Sequence, residues 1–409
     1  MANLSLKIAA AGAVLVLSMH GAWAAQCGEN TSGNVNGVDK AAGVIKLGTI
    51  QPVTGRVAAI GVGVSQGIAI AVNEINAKGG IDGCKLQVVT LDNQYQLDAT
   101  VVAGRRLVDQ DKVWAVVAPT GSAYLPAIYA TLNEAGTPLW APISPSDQNI
   151  PVVYLVATPR ADQVKICIDY FADKGIKKVG AISQTNDVGI QVEDGLKTQS
   201  KIRKLDVVAL EKIDIQSPNV STPVLNVIKS GAQGVIVGLD PATLPTTLNS
   251  LHESGFSGPI CSDGGSAGVG SMGGVGASTP DAHNGFLSAM QTALPNSDAP
   301  AALTWKKAAD AYTGEFKNNA DPAFSLQGYA YTMAFGELIG RLKGNLSHDN
   351  FRKVAEDTRN NPIKNGIMPD VVCGPIPGGH TCAKSAGLAK LDAKTKTWTQ
   401  IQPFQTPKE

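Results

Sequence analysis

The chain has 409 residues, enough at about 150 per domain for two to three domains. Apolar residues make up 44% and charged residues 17%, which excludes a disordered polyelectrolyte. Lys+Arg and Asp+Glu both total 34 and aromatic residues reach only 5%; this excludes a nucleic-acid partner, which would need a basic excess for phosphates and aromatic platforms for bases.

In chain order, Lys7 precedes an apolar run from Ile8 to Met19, followed by Ala22-Trp23-Ala24. A basic residue, an apolar stretch of about a dozen residues and small residues before the break form a secretory signal. It covers residues 1–24, with cleavage after Ala24. The run is too short to span about 30 Å of hydrocarbon, and Gln26 is the wrong neighbour for lipidation of Cys27. The chain is expected to be exported and soluble.

All six cysteines, at 27, 84, 167, 261, 373 and 382, lie beyond that signal. An even count in an exported chain favours disulfides over metal sites. Cys373 and Cys382 bracket a turn-rich Gly-Pro-Ile-Pro-Gly-Gly-His-Thr loop that a local bridge would staple. The competing reading of Cys373, His380 and Cys382 as metal ligands lacks a fourth partner and any Cys-x-x-Cys pair. No metal and no cofactor are expected.

Val44–Ile50 reads as a strand, and Val64, Ile68, Ala71, Val72 and Ile75 fall at helical spacing before a Lys-Gly-Gly stop. Lys85–Leu91 is a strand, Asp98 is expected to cap a helix, and Val113–Ala118 is apolar throughout, as buried parallel strands are. A helix carrying Leu125, Ile128, Tyr129 and Leu132 precedes the strand Pro138–Ala141. The alternation then restarts with strands at 178–182, 206–210, 234–238 and 259–262, separated by helices. A strand-like stretch at 286–289 precedes long helices around Trp305 and Tyr329, and a strand pair closes the chain at 387–391 and 397–401. Strict alternation is the mark of α/β architecture with doubly wound parallel sheets, here in two lobes.

Catalytic patterns are missing. There is no His-x-x-x-His. Gly268-Val-Gly-Ser-Met-Gly273 matches the dinucleotide fingerprint formally, but it follows no strand directly and sits in a longer glycine-rich run, so it reads as a loop. The chain is read as no enzyme. What remains is geometric: open parallel sheets bind ligands beyond the carboxyl ends of their strands, and two such sheets across a hinge form a cleft. Loops 51–61, 119–123 and 142–147 leave strand ends in the first lobe. The second of these is expected to open a helix at Ser122, where free N–H groups and a hydroxyl suit an anion; the plainer reading is that Ser122 caps its own helix.

Leu47-Gly-Thr-Ile, Thr54-Gly55 and the run Ala71-Val-Asn-Glu-Ile-Asn-Ala-Lys-Gly-Gly-Ile-Asp-Gly83 resemble the branched-chain amino-acid (Leu/Ile/Val)-binding family of periplasmic proteins. These are substrate-binding components of ABC transporters. The resemblance implies a type I periplasmic-binding-protein fold, two doubly wound parallel-sheet lobes joined by three hinge crossovers near Val156–Pro159, Leu287–Met290 and Ala386–Leu388. Lobe 1 is expected to hold residues 44–157 plus 289–386, and lobe 2 residues 158–288 plus 387–409.

By the same resemblance, Ser122 and Ala123, with Ser144 and Ser146, receive a ligand carboxylate, and Asp263 receives an ammonium. Ile60, Val188 and Leu239 stand where the family often presents aromatic groups. Arg56 is matched to a smaller residue of the family and would reach a second carboxylate, against the plainer reading of a solvated surface arginine. The implied function is periplasmic capture of a small carboxylate, an amino acid first and an aromatic acid or short amide as alternatives. A monomer would deliver it to an ABC permease; the same fold also serves ligand sensing without transport.

Overall fold

In the computed structural model, residues 26–55, 57–121, 123–143, 150–214, 216, 218–267, 280–374 and 380–409 are described. The signal segment, Arg56 and the glycine-rich run at 268–273 lie outside them.

The chain begins with β1 (Val38–Asp39) and β2 (Val44–Gln51), then α1 (Ala58–Ala77), β3 (Lys85–Asp92), α2 (Leu97–Asp109), β4 (Ala115–Val117), α3 (Pro126–Glu134), β5 (Leu139–Trp140) and β6 (Val153–Leu155). It continues with α4 (Arg160–Asp173), β7 (Lys178–Gln184), α5 (Asp187–Arg203), β8 (Asp206–Ile213), α6 (Ser221–Lys229), β9 (Gly234–Gly238), α7 (Leu244–Glu253) and β10 (Ile260–Ser262). Two single turns, α8 (Gly264–Ala267) and α9 (Pro280–His283), precede β11 (Leu287–Met290). The helices α10 (Pro300–Ala311), α11 (Pro322–Gly340) and α12 (His348–Asp357) lead to β12 (His380–Thr381), β13 (Ala386–Asp392) and β14 (Thr397–Gln405).

Among the described residues the strands form two seven-stranded sheets. The first runs β1-β2-β4-β5-β6-β12, with β3 also paired to β2; the second runs β14-β13-β11-β10-β9-β7-β8. Pairing is parallel except for β1 with β2, β11 with β13 and β13 with β14. The fold is therefore α/β, with two parallel-dominated sheets. The chain crosses from one sheet to the other three times: at 156–159, after β11 through 291–299, and at 382–385. The second and third crossings differ from expectation, because Leu287–Met290 is a regular strand flanked by β10 and β13, and Ala386–Leu388 already belongs to β13. Thr158 in the first crossing donates its hydroxyl to the Ser385 carbonyl in the third, tying the two together.

Central strands are buried from end to end, which is why β4 and β9 read as unbroken apolar runs. Trp114, Trp140, Tyr331, Phe335 and Phe351 fill the first lobe's core, and each ring is less than 2% exposed. The indole N–H groups find backbone acceptors: Trp114 on Leu346 at 2.8 Å and Trp140 on Tyr331 at 3.0 Å. That satisfies the donor a buried Trp carries.

Helix α1 has the length and apolarity of a membrane span, yet Val64, Ile68, Ala71, Val72 and Ile75 are buried within the protein. It packs on α11 through glycines. A Cβ at Gly67 would lie 2.0 Å from the Ser325 carbonyl oxygen, and one at Gly328 would lie 2.4 Å from that of Val64. Gly67→Ala is expected to force the helices apart and cost about 1–3 kcal/mol, seen as a lower urea midpoint; an unchanged midpoint would show that the contact yields freely.

Three disulfides join Cys27 to Cys84, Cys167 to Cys261 and Cys373 to Cys382. The last is the local bridge expected from the loop, so both sulfurs of the metal reading are committed. His380 instead places Nε2 3.2 Å from the Glu356 carboxylate and stacks on Tyr154 with centroids 4.3 Å apart. Its burial pushes the imidazole below its usual pKa despite that carboxylate.

Candidate functional site

The cleft between the sheets gathers residues that follow strand ends in both lobes. The first lobe contributes Ile60 from α1, Tyr95 beyond β3, Thr120 and Gly121 beyond β4, and Phe324 from α11. The second contributes Arg160 at the start of α4, Gln184 at the end of β7, Val188 in α5, Leu239 and Asp240 beyond β9, and Gly265 beyond β10. The space enclosed between these walls is about 40 Å³, room for only a few waters. Parallel strands point their carboxyl ends the same way, so the loops that follow them converge here.

Backbone strain gathers on the same side of the first lobe. Gln94, Tyr95, Ala118 and Ala141 all adopt left-handed φ, between 46° and 55°, just past β3, β4 and β5. Non-glycine residues pay for that conformation, and such residues concentrate where the chain must hold a ligand. At Tyr95 the turn is held by its N–H donating to Asn93 Oδ1 at 3.2 Å, and the ring meets Tyr124 edge-on with centroids 5.2 Å apart.

The polar groups on the wall differ in how fully they are engaged. Thr120 donates its backbone N–H to the Ile50 carbonyl at 2.9 Å, while its buried hydroxyl has no hydrogen-bond partner among the described residues. Gln184 accepts from Asn186, which also caps α5 by accepting from the Val188 N–H at 3.1 Å. Arg160 is 4% exposed and is ion-paired with Asp263, which is fully buried. Gln163 links that wall to the hinge: its Nε2 donates to the Thr158 carbonyl at 2.7 Å and its Oε1 accepts from the Gly264 N–H at 2.9 Å.

Of the residues expected from the sequence, Ile60, Val188 and Leu239 line the cleft. Ile60 does so from the first turn of α1 and not from a loop, because that helix starts at Ala58. Ala123 is half-buried in the turn where the N–H groups of Tyr124 and Leu125 both donate to the Gly121 carbonyl. Helix α3 starts only at Pro126, so the expected helix start at Ser122 is corrected by four residues. Ser122, Ser144 and Ser146 lie outside the described residues. Asp263 does not reach the lining; it stands behind Arg160. The expected Asp98 cap is also corrected: Gln96 takes the N-cap of α2, and Asp98 lies in the first turn. Arg160, Thr120, Tyr95 and Phe324 were missed, because none carries a local pattern that marks it.

The family described as periplasmic binding protein matches residues 44–393. The chain belongs to that family. It is 28% identical over 229 residues to an amino acid binding protein of Pseudomonas aeruginosa, a match covering 54% of this chain and 60% of that relative's length. It is 26% identical over 317 residues to a Leu/Ile/Val-binding protein homolog of Brucella abortus, covering 73% and 77%. Among solved structures, a fatty acid ABC transporter substrate-binding protein from Thermomonospora curvata superposes with a TM-score of 0.78 at 18% identity, covering 92% of this chain and 95% of that one. The two-sheet architecture is thus the type I periplasmic-binding-protein fold. This chain is a periplasmic binding protein and not an enzyme.

Proposed function

We propose that this binding protein captures a small carboxylate-bearing solute between its lobes in the periplasm and hands it unaltered to an ABC permease. The observation that carries the reading is the Thr120 hydroxyl, buried on the cleft wall with no partner among the described residues. A buried polar atom left unpaired is costly, and a ligand oxygen seated beyond β4 would satisfy it. The names of the relatives support the same chemistry, since amino acids and fatty acids share a carboxylate. Ser122, Ser144 and Ser146 are proposed as further donors to it. Ile60, Val188, Leu239 and Phe324 offer apolar surface for the rest of the solute.

Two or three charge-assisted hydrogen bonds at about 1.5–3 kcal/mol each, with some apolar burial, reach the roughly 8 kcal/mol of a micromolar complex. The test is native mass spectrometry of protein purified without refolding, followed by calorimetric titration of the solute found. Thr120→Val is expected to weaken binding about tenfold, the loss of one such hydrogen bond. Unchanged affinity in that variant, or a solute with no carboxylate, would overturn the reading.

A further inference from the structure

Gln163, three residues after Arg160 on α4, has no exposure to solvent. An amide side chain buried that completely needs partners at both ends, and here the ends reach different parts of the molecule. Nε2 donates to the Thr158 carbonyl in the first crossing, and Oε1 accepts from the Gly264 N–H in the turn beyond β10. That turn, 263–265, connects to all three passages between the sheets. The Asp263 carboxylate pairs with Arg160, which directly follows the first crossing. The Asp263 backbone carbonyl accepts the Ser288 hydroxyl at 3.3 Å from β11, the strand that runs into the second. A Cβ at Gly264 would lie 2.7 Å from the Ala289 carbonyl oxygen, so the turn is pressed against that strand. The third crossing is reached through Thr158, whose hydroxyl donates to the Ser385 carbonyl. Gly265 and Arg160, at the two ends of this arrangement, face the cleft.

A carboxamide is planar and stiff, so the two groups it bridges keep a fixed separation. Lobes can rotate only if the backbone of the crossings turns. The Thr158 carbonyl cannot turn without carrying Gln163 along or breaking a buried hydrogen bond, and leaving such a carbonyl unpaired is costly. We propose that Gln163 is a positioning residue for solute capture: it joins the solute-facing turn to the crossings, so that a solute seated against Gly265 and Arg160 biases the angle between the lobes. The proposal rests on capture in this cleft and holds whatever the chemistry of the solute. The element with two states is the lobe pair itself, which is what a claim of coupling requires.

The experiment uses the full exported chain. Glu134 in the first lobe and Lys229 in the second, both exposed, are replaced by a ketone-bearing amino acid and spin-labelled there, which leaves the three disulfides intact. Electron–electron double resonance then reads the distribution of distances between the lobes with no solute added. The parent is expected to give a narrow distribution and Gln163→Met, close in volume, one at least about twice as wide. Thr158→Val keeps the carbonyl and loses the bond to Ser385. It is expected to widen the distribution by itself and to add nothing to Gln163→Met, as for two groups in one network. Urea midpoints are taken in parallel with Gly67→Ala, which disturbs only the contact of α1 with α11 and is expected to lower the midpoint without widening. A lower midpoint with unchanged width in Gln163→Met means a structural role only and overturns the proposal, as does additive widening in the double variant. If Gln163→Met does not fold, Thr158→Val decides, and an unchanged width there overturns the proposal too. Where leucine, benzoate or octanoate raises the parent's melting point, that probe is expected to move the mean distance less than half as far in Gln163→Met; an equal movement overturns the coupling. Because the main measurement contains no solute, its failure leaves carboxylate capture standing, and a solute without a carboxylate leaves this coupling standing.

Discussion

Asp263→Ala is expected to lower folding stability by about 3–5 kcal/mol, the usual consequence of removing one partner from a buried ion pair. The loss comes from what is left behind: a guanidinium only 4% exposed, facing a site from which its carboxylate has gone. The Gly265 N–H loses its acceptor at the same time. An exposed pair such as Lys306 with Asp310, whose side chains are 57% and 70% exposed, offers the contrast, since pairs of that kind contribute about 0–1 kcal/mol. Urea unfolding of the Asp263→Ala and Asp310→Ala variants side by side measures both. A loss below about 1 kcal/mol for Asp263→Ala would mean that water reaches the guanidinium and that the wall is more open than the structure has it.

The second large effect concerns the disulfide between Cys167 and Cys261, which are 94 residues apart in sequence. It ties α4 to β10, the two elements whose ends carry Arg160 and Asp263. Cross-linking a loop of roughly a hundred residues restricts the unfolded chain by an amount approaching about 4.7 kcal/mol, and removal of native bridges costs about 2–5 kcal/mol. Cys167→Ala with Cys261→Ala is expected to fall in that range by urea unfolding, with a parallel loss of ligand affinity as the wall loosens. The pair Cys373–Cys382, separated by 9 residues, closes a much shorter loop and is expected to contribute less. If both bridges proved equal, the loop-length account would be wrong for this protein.

Much of the architecture was legible in the sequence because a strand buried on both faces has no room for polar residues. Gly234–Gly238 and the centre of Val113–Ala118 became strands for that reason, with β4 confined to Ala115–Val117. The short strand β12 was not legible: two residues, His380–Thr381, are a strand only because Tyr154 and Leu155 lie alongside them. Starts of helices were the weak point. Thr-Gly-Ser before an apolar face looks like a cap, yet the Gly121 carbonyl holds a separate turn, and Pro126, which lacks an N–H, takes the first helical position.

The site divides in the same way. Ile60, Val188 and Leu239, which line the cleft, come from the family resemblance. Arg160 does not, because Thr-Pro-Arg-Ala-Asp reads as an ordinary solvated helix start. Its meaning depends on Asp263, which is remote in sequence and whose own Asp-Gly-Gly setting reads as a plain turn. Tyr95 is hidden similarly: its direction is set by a left-handed backbone that no residue pattern in Asn-Gln-Tyr-Gln announces.

The three passages between the sheets bear on how the molecule comes off the ribosome. The first sheet waits for β12 near residue 380, by which point β7 to β11 of the second have already emerged. The second in turn waits for β13 and β14 at the very end. A nascent chain stopped between β11 and β12 therefore exposes an unfinished edge on both halves at once, so neither half can be made as a fragment by trimming a single terminus.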